Sequence, residues 1–464
     1  MGTSVSAGKP TNAPARQYLV ALKAESISAS ALQAINDAGG TVVNRLDQVG
    51  GLVVETTDST RFLKAMLANK EVKAVSPSIP MQLSLPQADA DSASSGEGVS
   101  DPADYTWGVQ RVTNNGEAWN IHAGTHDVVV AILDTGIDLS HPDLTPNIVP
   151  GSRSYVPGES VQDGHSHGTH VAGTVAANGG IKGVAPGVGL RAYKVLSDQG
   201  WGRDAWILQG ILDAANDGVD VINMSLGGFA VNGVWWYTDP ATGERFNLGN
   251  LDTATVVLYN RVIRYAINRN VTVVVAAGNE SLDLAKRNAA TEWLNWYLQE
   301  LGYTEWEAQG ATVFLPASIP GAVTISAHGG GWGTPDRLAF YSNYGLVDLA
   351  APGGDAGPVP FAEPDWYKYL ILSTVPTNTE CVTARQLFNT CNYGWKGGTS
   401  MASPHAAGVA ALIISEEYAR TGAKPKPSQV VTRMQQSAED IGKNGADAFF
   451  GKGLVNAYRA FTVK

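Results

Sequence analysis

Five short segments after residue 105 are apolar at almost every position, and helical patterns separate them. They read VVVAILDTG, GLRAYKVL, GVDVINMSLGG, VTVVVAAGN and AVTISA, with ILQGILDAANDG and SPHAAGVAALIISEEYAR among the helical patterns. Strands of this kind are buried on both faces, which is typical of a parallel sheet flanked by helices. Residues 105–464 are therefore predicted to form an α/β domain with a doubly wound, mostly parallel sheet.

A separate unit precedes this domain. Residues 17–84 alternate in the order strand, helix, strand, strand, helix, strand, from QYLVALK to VKAVSPS. This order predicts a small ferredoxin-like α+β fold. Residues 85–104, LPQADADSASSGEGVSDPAD, have almost no bulky apolar side chain, as expected of a flexible linker that a protease can cut. Residues 1–16 are predicted to be a disordered tail.

The net charge and the cysteine content restrict the possible binding partners and the cellular compartment of the protein. A net charge of −11 over 464 residues argues against nucleic acid or an anionic membrane as the main partner, and no apolar run is long enough to span a membrane. Cys381 and Cys391, with nine residues between them, favour a disulfide and hence an exported protein. Two thiols in a cytosolic enzyme remain the alternative. MGTSVSAGKP carries no secretory signal, so we expect any signal peptide to have been removed.

The stretch DGHSHGTHVAG holds three histidines within six positions, His165, His167 and His170. Such a cluster can ligate zinc, can be purely structural, or can include a catalytic base. The HExxH spacing of a zinc protease helix is absent. A catalytic base needs an acid and a nucleophile elsewhere in the chain.

Two further motifs supply those groups. Asp134 follows a buried strand in VVVAILDTG, and Ser400 precedes an apolar helix in GGTSMASPHAAG. Taken singly, Asp134 could cap a turn and Ser400 a helix. Asp, His and Ser in this chain order, each inside its own motif, resemble the subtilisin-like serine proteases, or subtilases. The resemblance runs from about Trp107 to Tyr458 and includes the late GKGLVNA motif.

The resemblance implies a role for each residue. Ser400 would be the nucleophile, His167 the general base, and Asp134 the group that orients the imidazole. Asn279 in VVVAAGNE would donate to the oxyanion together with the backbone amide of Ser400. Two segments would clamp a peptide substrate by backbone pairing. Their residues are Gly200, Trp201, Gly202, Ser225, Leu226, Gly227 and Gly228.

The resemblance also assigns the N-terminal unit. It would be a propeptide that acts as folding chaperone and inhibitor, and self-cleavage is expected between Ser84 and Asp104. The whole is predicted to be a secreted, monomeric serine endopeptidase zymogen that acts on proteins and peptides. The rivals are a catalytically inactive scaffold and an esterase or peptide ligase that uses the same site.

Catalysis is expected to need no cofactor. The resemblance to the subtilases does suggest that a calcium ion could have a structural role. The segment NGGIKGVAP is shorter than the calcium-binding loop of subtilisin, so that site is expected to be absent or altered, although Asp143 matches one ligand. A weaker site would use oxygen ligands. They are the carbonyls of Ala317, Ile319 and Ala322 and the side chain of Asp348. A plain turn with a solvated aspartate is the alternative.

Three insertions depart from the family pattern, at residues 229–250, 282–312 and roughly 355–395. They carry more than half of the 12 tryptophans. These aromatic side chains could pack on the body of the enzyme or could form a rim or lid over the cleft.

Overall fold

The computed structural model describes residues 17–83, 100–249, 253–378 and 383–463. The predicted tail, most of the predicted linker, and Cys381 lie outside the described residues. In chain order, the strands and helices are β1 (Gln17–Leu22), α1 (Ala29–Asp37), β2 (Gly40–Leu46), β3 (Gly51–Thr56), α2 (Ser59–Ala68), β4 (Val72–Pro77), β5 (Met81–Gln82), α3 (Trp107–Thr113), α4 (Glu117–Ile121), β6 (Val129–Asp134), β7 (Arg153–Ser154), α5 (His167–Ala176), β8 (Gly189–Lys194), β9 (Trp201–Gly202), α6 (Asp204–Asn216), β10 (Val221–Met224), β11 (Gly228–Thr238), β12 (Arg245–Asn247), α7 (Ala254–Asn268), β13 (Thr272–Ala276), α8 (Arg287–Glu300), β14 (Trp306–Leu315), β15 (Ala322–His328), β16 (Leu349–Pro352), β17 (Ile371–Thr374), α9 (Thr383–Phe388), β18 (Tyr393–Lys396), α10 (Thr399–Thr421), α11 (Pro427–Ser437) and α12 (Ala457–Thr462).

The centre of the molecule is a seven-stranded sheet in the order β16-β15-β13-β10-β6-β8-β7. Every pairing in it is parallel. The predicted α/β fold with a mostly parallel sheet is thus confirmed. The chain winds outward in both directions from β6 and β10, so the strand order reverses between them. In open α/β sheets a crevice forms at such a point, beyond the carboxyl ends of the strands.

Helices cover both faces of this sheet, which explains the uninterrupted apolar strands. In β6, Val130 and Ile132 pack into the core beside α5 and α10, while Ala131 and Leu133 pack into the core beside α6 and α7. The 23-residue helix α10 lies across β10, β13 and β15. Its first turn therefore lies close to the strands of the central sheet. In the described part of the chain, no helix has the length and apolar content needed to cross a membrane.

The N-terminal unit is a four-stranded antiparallel sheet in the order β2-β3-β1-β4, with α1 and α2 on one face. Its other face packs on α6 and α7 of the body through Leu19, Ala21 and Val53. The Arg261 guanidinium, on α7, donates to the carbonyls of Val49 and Leu22 at 2.8 Å each. The unit is therefore joined to the body by packing and by buried polar contacts.

The first two insertions combine into one structure. Strands β11, β12 and β14 form an antiparallel sheet in the order β12-β11-β14, which we call the insertion sheet. Helix α8 covers its β14 edge. The Asn295 side chain accepts from the Ala308 amide at 2.7 Å and donates to the Ala308 carbonyl at 2.8 Å. Helix α8 thus covers part of the β14 edge, which limits pairing of this strand with another chain.

Of the seven tryptophans in the three insertions, three are buried, three are half-buried and one is exposed. Trp235 and Trp306 are 4% and 3% exposed, and Trp395 packs against Phe388 in the third insertion. Trp296 is the exposed one, at 56%. Packing on the body describes Trp395, whereas Trp235 and Trp306 lie in one cluster with residues of the N-terminal unit.

Candidate active site

Strand β6 and helix α5 bring Asp134 and His167 together. Asp134 ends β6 and His167 begins α5, and neither side chain is exposed to solvent. The Nδ1 of His167 lies 2.7 Å from Oδ1 of Asp134, which also accepts from the Thr135 amide at 2.7 Å. Because a carboxylate only accepts, Nδ1 carries the proton and Nε2 is left as the basic nitrogen.

The loop before α5 is held by a residue that sequence reasoning missed. The Asp163 carboxylate accepts from the amides of His165, Ser166 and Thr169 at 2.9 to 3.0 Å. It also accepts from the Thr135 hydroxyl at 2.9 Å. Asp163 therefore satisfies the free amides at the start of α5 and ties His167 to the end of β6. An aspartate just before a helix was the only available signal.

Ser400 is the second residue of α10 and is almost fully buried. Its hydroxyl donates to the Ser225 carbonyl at 3.1 Å, and the Ser225 hydroxyl donates to the Ser400 carbonyl at 2.7 Å. Among the described residues, Nε2 of His167 has no hydrogen-bond partner. The aspartate–histidine hydrogen bond is thus formed, while the serine hydroxyl points to Ser225. Catalytic hydrogen bonds in free enzymes often tighten only when substrate binds.

Asn279 lies in the loop after β13, close to the start of α10. Its Oδ1 accepts from the amide and hydroxyl of Thr399 at 2.8 and 2.9 Å, which orients the side-chain amide. A Cβ on Gly398 would lie 3.7 Å from Nδ2 of Asn279 and 3.5 Å from the Ser400 nitrogen. The glycine therefore leaves space between two N–H groups, where an oxyanion could be held.

Asn343 holds the loop that carries Asn279, and it too was missed. Its side chain donates to the Ala277 carbonyl at 3.0 Å and accepts from the Leu282 amide at 2.8 Å. These contacts join residues more than 60 positions apart. An asparagine in YSNYG carries no local signal for such a role.

A cleft beside Ser400 contains part of the same chain. Strand β5 pairs antiparallel with β9, in the register Met81 with Gly202 and Gln82 with Trp201. The Leu83 amide continues the pairing by donating to the Gly200 carbonyl at 2.9 Å. The predicted clamp residues Gly200, Trp201 and Gly202 thus hold an extended backbone. A cavity beside this extended segment is lined by Ser225, Leu226, Gly227, Asn279 and Ser400. Gly228 lies against Met81 on the other side.

Phe314 and Glu280 shape the inner end of this cleft. A Cβ on Gly227 would lie 2.3 Å from the Phe314 ring, and one on Gly278 would lie 2.7 Å from it. The ring therefore fills the space between the segments that carry these two glycines. The Glu280 carboxylate accepts from Asn343 Nδ2 at 2.6 Å, and burial raises the pKa of Glu280 to about 7 despite that hydrogen bond.

The other two histidines of the cluster have separate environments. Nε2 of His170 lies 3.0 Å from the Ile371 carbonyl, and burial lowers the pKa of His170 well below its usual value. His165 is half-buried with its ring beside that of His167, and burial lowers its pKa to about 4. Within the described ranges, no three His, Cys, Asp or Glu residues are grouped so that they could hold a metal ion.

Asp143, the residue that matches a calcium ligand, is held by protein donors. Its carboxylate accepts from the amides of Gly180 and Ile181 at 3.0 Å and from the Tyr393 hydroxyl at 2.9 Å. The short segment after α5 and the third insertion together supply these donors.

The residues of the weaker candidate calcium site do lie together. The Thr324 hydroxyl donates to the Ala317 carbonyl at 2.6 Å, and the Thr324 amide donates to Asp348 at 2.8 Å. The Ile319 carbonyl accepts from the Ala322 amide at 3.1 Å. Three of the four candidate oxygen groups therefore already accept a hydrogen bond within the turn, and each oxygen keeps a second lone pair.

Comparisons with known proteins agree with the geometry. A family profile described as Peptidase_S8, Subtilase family, matches residues 125–453. Subtilisin E of Bacillus subtilis is 34% identical over 339 residues, which is 72% of this chain and 65% of that protein. The chain therefore matches slightly under two thirds of the length of this relative.

Solved structures of similar fold include two serine or lanthipeptide proteases. A lanthipeptide protease is 29% identical with a TM-score of 0.61, covering 79% of this chain and 96% of that one. The epidermin leader peptide processing serine protease of Staphylococcus aureus is 24% identical with a TM-score of 0.70, covering 96% of this chain and 98% of that one. The second likeness shows the fold alone.

Proposed function

The chain belongs to the subtilase family of serine proteases, and on that premise we propose that it is a serine endopeptidase made as a self-processing zymogen. The observation that carries the proposal is the pairing of β5 with β9 in the cleft lined by Ser400 and Asn279. An extended segment of the chain lies there as a peptide substrate would. Backbone pairing of this kind accepts many sequences, as an endopeptidase requires.

The proposed chemistry uses the three residues in turn. Ser400 rotates its hydroxyl from the Ser225 carbonyl to Nε2 of His167, which takes the proton as Oγ attacks the scissile carbonyl carbon. Asp134, bound to Nδ1, stabilises the imidazolium that forms. His167 then returns the proton to the leaving amine, so that an acyl-enzyme remains. Water repeats the cycle and releases the acid. No cofactor takes part.

The negative charge that develops on the carbonyl oxygen needs donors already in position. The side-chain amide of Asn279 and the backbone amide of Ser400 supply them across the space that Gly398 leaves open. Hydrogen bonds from Thr399 already orient the Asn279 side chain before a substrate is bound, so little reorganisation is needed during the reaction.

The N-terminal unit is proposed to be a ferredoxin-like propeptide that serves as chaperone and inhibitor. The β5 segment occupies the cleft, which supports inhibition, and self-cleavage is proposed between Ser84 and Asp104. Secretion and a Cys381–Cys391 disulfide are part of the same proposal. Cys391 is buried, and titration of thiols in unreduced protein tests the pairing.

A structural calcium ion is proposed at Ala317, Ile319, Ala322 and Asp348. Backbone carbonyls and a carboxylate are hard oxygen donors of the kind that calcium takes. Melting temperatures with calcium and with a chelator, for the native chain and for Asp348→Asn, test this site.

Labelling by a serine-directed fluorophosphonate tests the proposed nucleophile. We expect one label per chain on Ser400 once the N-terminal unit has left the cleft, and none in Ser400→Ala. Absence of labelling in the unit-free enzyme would favour an inactive scaffold. Rates on matched amide, ester and amine-acceptor substrates then separate a peptidase from an esterase or a peptide ligase.

A further inference from the structure

The insertion sheet turns an aromatic face toward the N-terminal unit. Trp235, Tyr237 and Trp306 are nearly fully buried, in one cluster with Tyr18 and Phe62 of the unit. The Tyr18 ring lies 6.2 Å from the Trp306 ring between centroids. Aromatic residues bury about 150–250 Å² each and gain from tilted ring contacts. These contacts therefore join the insertion to the unit through apolar area.

Polar contacts lie at the edge of the same face. The Thr60 hydroxyl on α2 hydrogen-bonds the Asp239 carboxylate in the turn between β11 and β12. Lys64 Nζ lies 2.7 and 2.8 Å from the two Glu244 carboxylate oxygens and 5.4 Å from the centre of the Phe246 ring. Thr60 and Lys64 are four residues apart and so share one face of α2. That face is complementary in charge to the turn.

This contact is separate from the other two that hold the unit. The β5–β9 pairing occupies the cleft, and the sheet of the unit rests on α6 and α7. The β11–β12 turn contributes no residue to the cavity beside Ser400. A change in the turn can therefore alter how the unit is held without touching the cleft.

We propose that the insertion sheet is a docking surface whose partner is the chain's own N-terminal unit, and that it keeps this unit bound after the linker is cut. The inference rests on the proposed self-processing. Departure of the unit would uncover Trp235, Tyr237 and Trp306 together, and large continuous apolar patches are rare on free protein surfaces. The contact with the insertion sheet would then lengthen the interval between the cut and the release of the unit.

The test uses the full chain with charge reversals at the ion pair. We compare the native chain, Lys64→Glu, Glu244→Lys and the double variant at low salt. Gel analysis gives the time of the cut, and a peptide substrate gives the time at which activity appears. Each single reversal should shorten the lag between the two about threefold to tenfold, because it places like charges together, and the double variant should restore the lag.

A matched control comes from the same sheet. Arg245 pairs with Glu307 and lies over Trp236, all within the insertion sheet, so Arg245→Glu should leave the lag unchanged. Values of kcat/KM for the released enzyme should be equal in all variants. A second variant, Tyr237→Ala, removes apolar contact and should shorten the lag further.

The outcomes separate the inference from its premise. An unchanged lag in both single variants, or no recovery in the double variant, would overturn the docking role. If the native chain is neither cut nor active on any peptide, the proposed function is at fault instead. If activity appears at the moment of the cut in the native chain, the unit is not retained and the inference is wrong.

Discussion

The central sheet and the N-terminal unit are held in the molecule in different ways. Strand β13 is buried at every position and pairs with a strand on each side, so backbone hydrogen bonds hold it along its length. Among the described residues, the strand pairing between the unit and the body is the two-residue β5–β9 ladder. The Leu83 amide continues this ladder to the Gly200 carbonyl, and side chains such as Arg261 make the other polar contacts.

The difference in how the two regions are held matches the role that we expect for each. Asp134 is the last residue of the paired strand β6, and Asn279 follows the paired strand β13 by three residues, so both lie close to a backbone ladder. The N-terminal unit, which would have to leave under the proposed zymogen mechanism, is held by contacts that can break one at a time. Backbone pairing positions the central sheet, whereas side chains make most of the contacts that hold the N-terminal unit.

The largest expected effect is the loss of amidase activity when Ser400, beside the central sheet, is replaced. Ser400→Ala should lower amidase activity by about 10⁴-fold or more, because the nucleophile is lost and only binding and oxyanion stabilisation remain. The chain should also stay uncut, as judged by mass spectrometry. Ser428→Ala, at an exposed serine of α11, is the control and should be processed normally. Normal processing of purified Ser400→Ala would contradict the mechanism.

Asn279→Ala should have the next largest effect. Loss of one donor to the oxyanion should lower kcat by about 10²–10³-fold with little change in KM, because the donor acts on the transition state. Asn343→Ala provides the contrast, since it should loosen the loop and change KM and the melting temperature as well. Equal losses in kcat and in binding for Asn279→Ala would show a structural role.

The releasable region should respond to pH through Asp204, at the start of α6. Its carboxylate accepts from Ser78 of the unit and from Tyr259 at 3.2 Å each, and burial raises its pKa to about 6 from an ordinary 3.8. Because residues of the unit help to bury Asp204, its pKa should fall when the unit leaves, so the docked state binds more protons than the separated parts. Docking should therefore be stronger at low pH and should weaken as pH rises through 6.

Co-elution of the cut unit with the body, measured from pH 4 to 8, tests whether docking weakens as the pH rises. Asp204→Asn should flatten the profile, because the amide does not ionise. Retention of the unit that increases with pH would refute the assignment.

A smaller effect is expected where the insertion meets the cleft. Phe314→Gly should open the space between Gly227 and Gly278. Peptides with a large aromatic residue before the scissile bond should then gain about tenfold or more in kcat/KM relative to matched alanine peptides. No change in the ratio would mean that Phe314 does not border the substrate side chain.

The smallest effect should come from metal removal. Amides and Tyr393 already satisfy Asp143, so a chelator should lower the melting temperature of the cut enzyme by less than about 3 °C. A much larger shift, reversed by calcium alone, would mean that a calcium ion contributes more to the rigid region than these contacts suggest.

The local sequence pattern was enough to predict the central sheet of this protein. Continuous apolar runs identify strands covered on both faces, because only such strands exclude water from every side chain. The motifs around Asp134, His167, Ser400 and Asn279 each lie within a few residues of a strand end or a helix start. The sequence therefore predicted the parallel sheet, and the resemblance of these motifs to those of the subtilases pointed to the four candidates.

The tertiary structure alone decided what supports and covers them. Asn343 acts through hydrogen bonds to residues more than 60 positions away, and Asp163 joins its own loop to Thr135, 28 positions away, so no local pattern encodes these partners. The tryptophan content of the insertions left two alternatives open, packing on the body or a rim or lid over the cleft, and it did not identify the surface that these side chains contact. Pairing of β11 with β14 and the approach of α2 place Trp235 and Trp306 against the N-terminal unit. A side chain's tendency to be buried is local, whereas the surface that buries it depends on long-range packing.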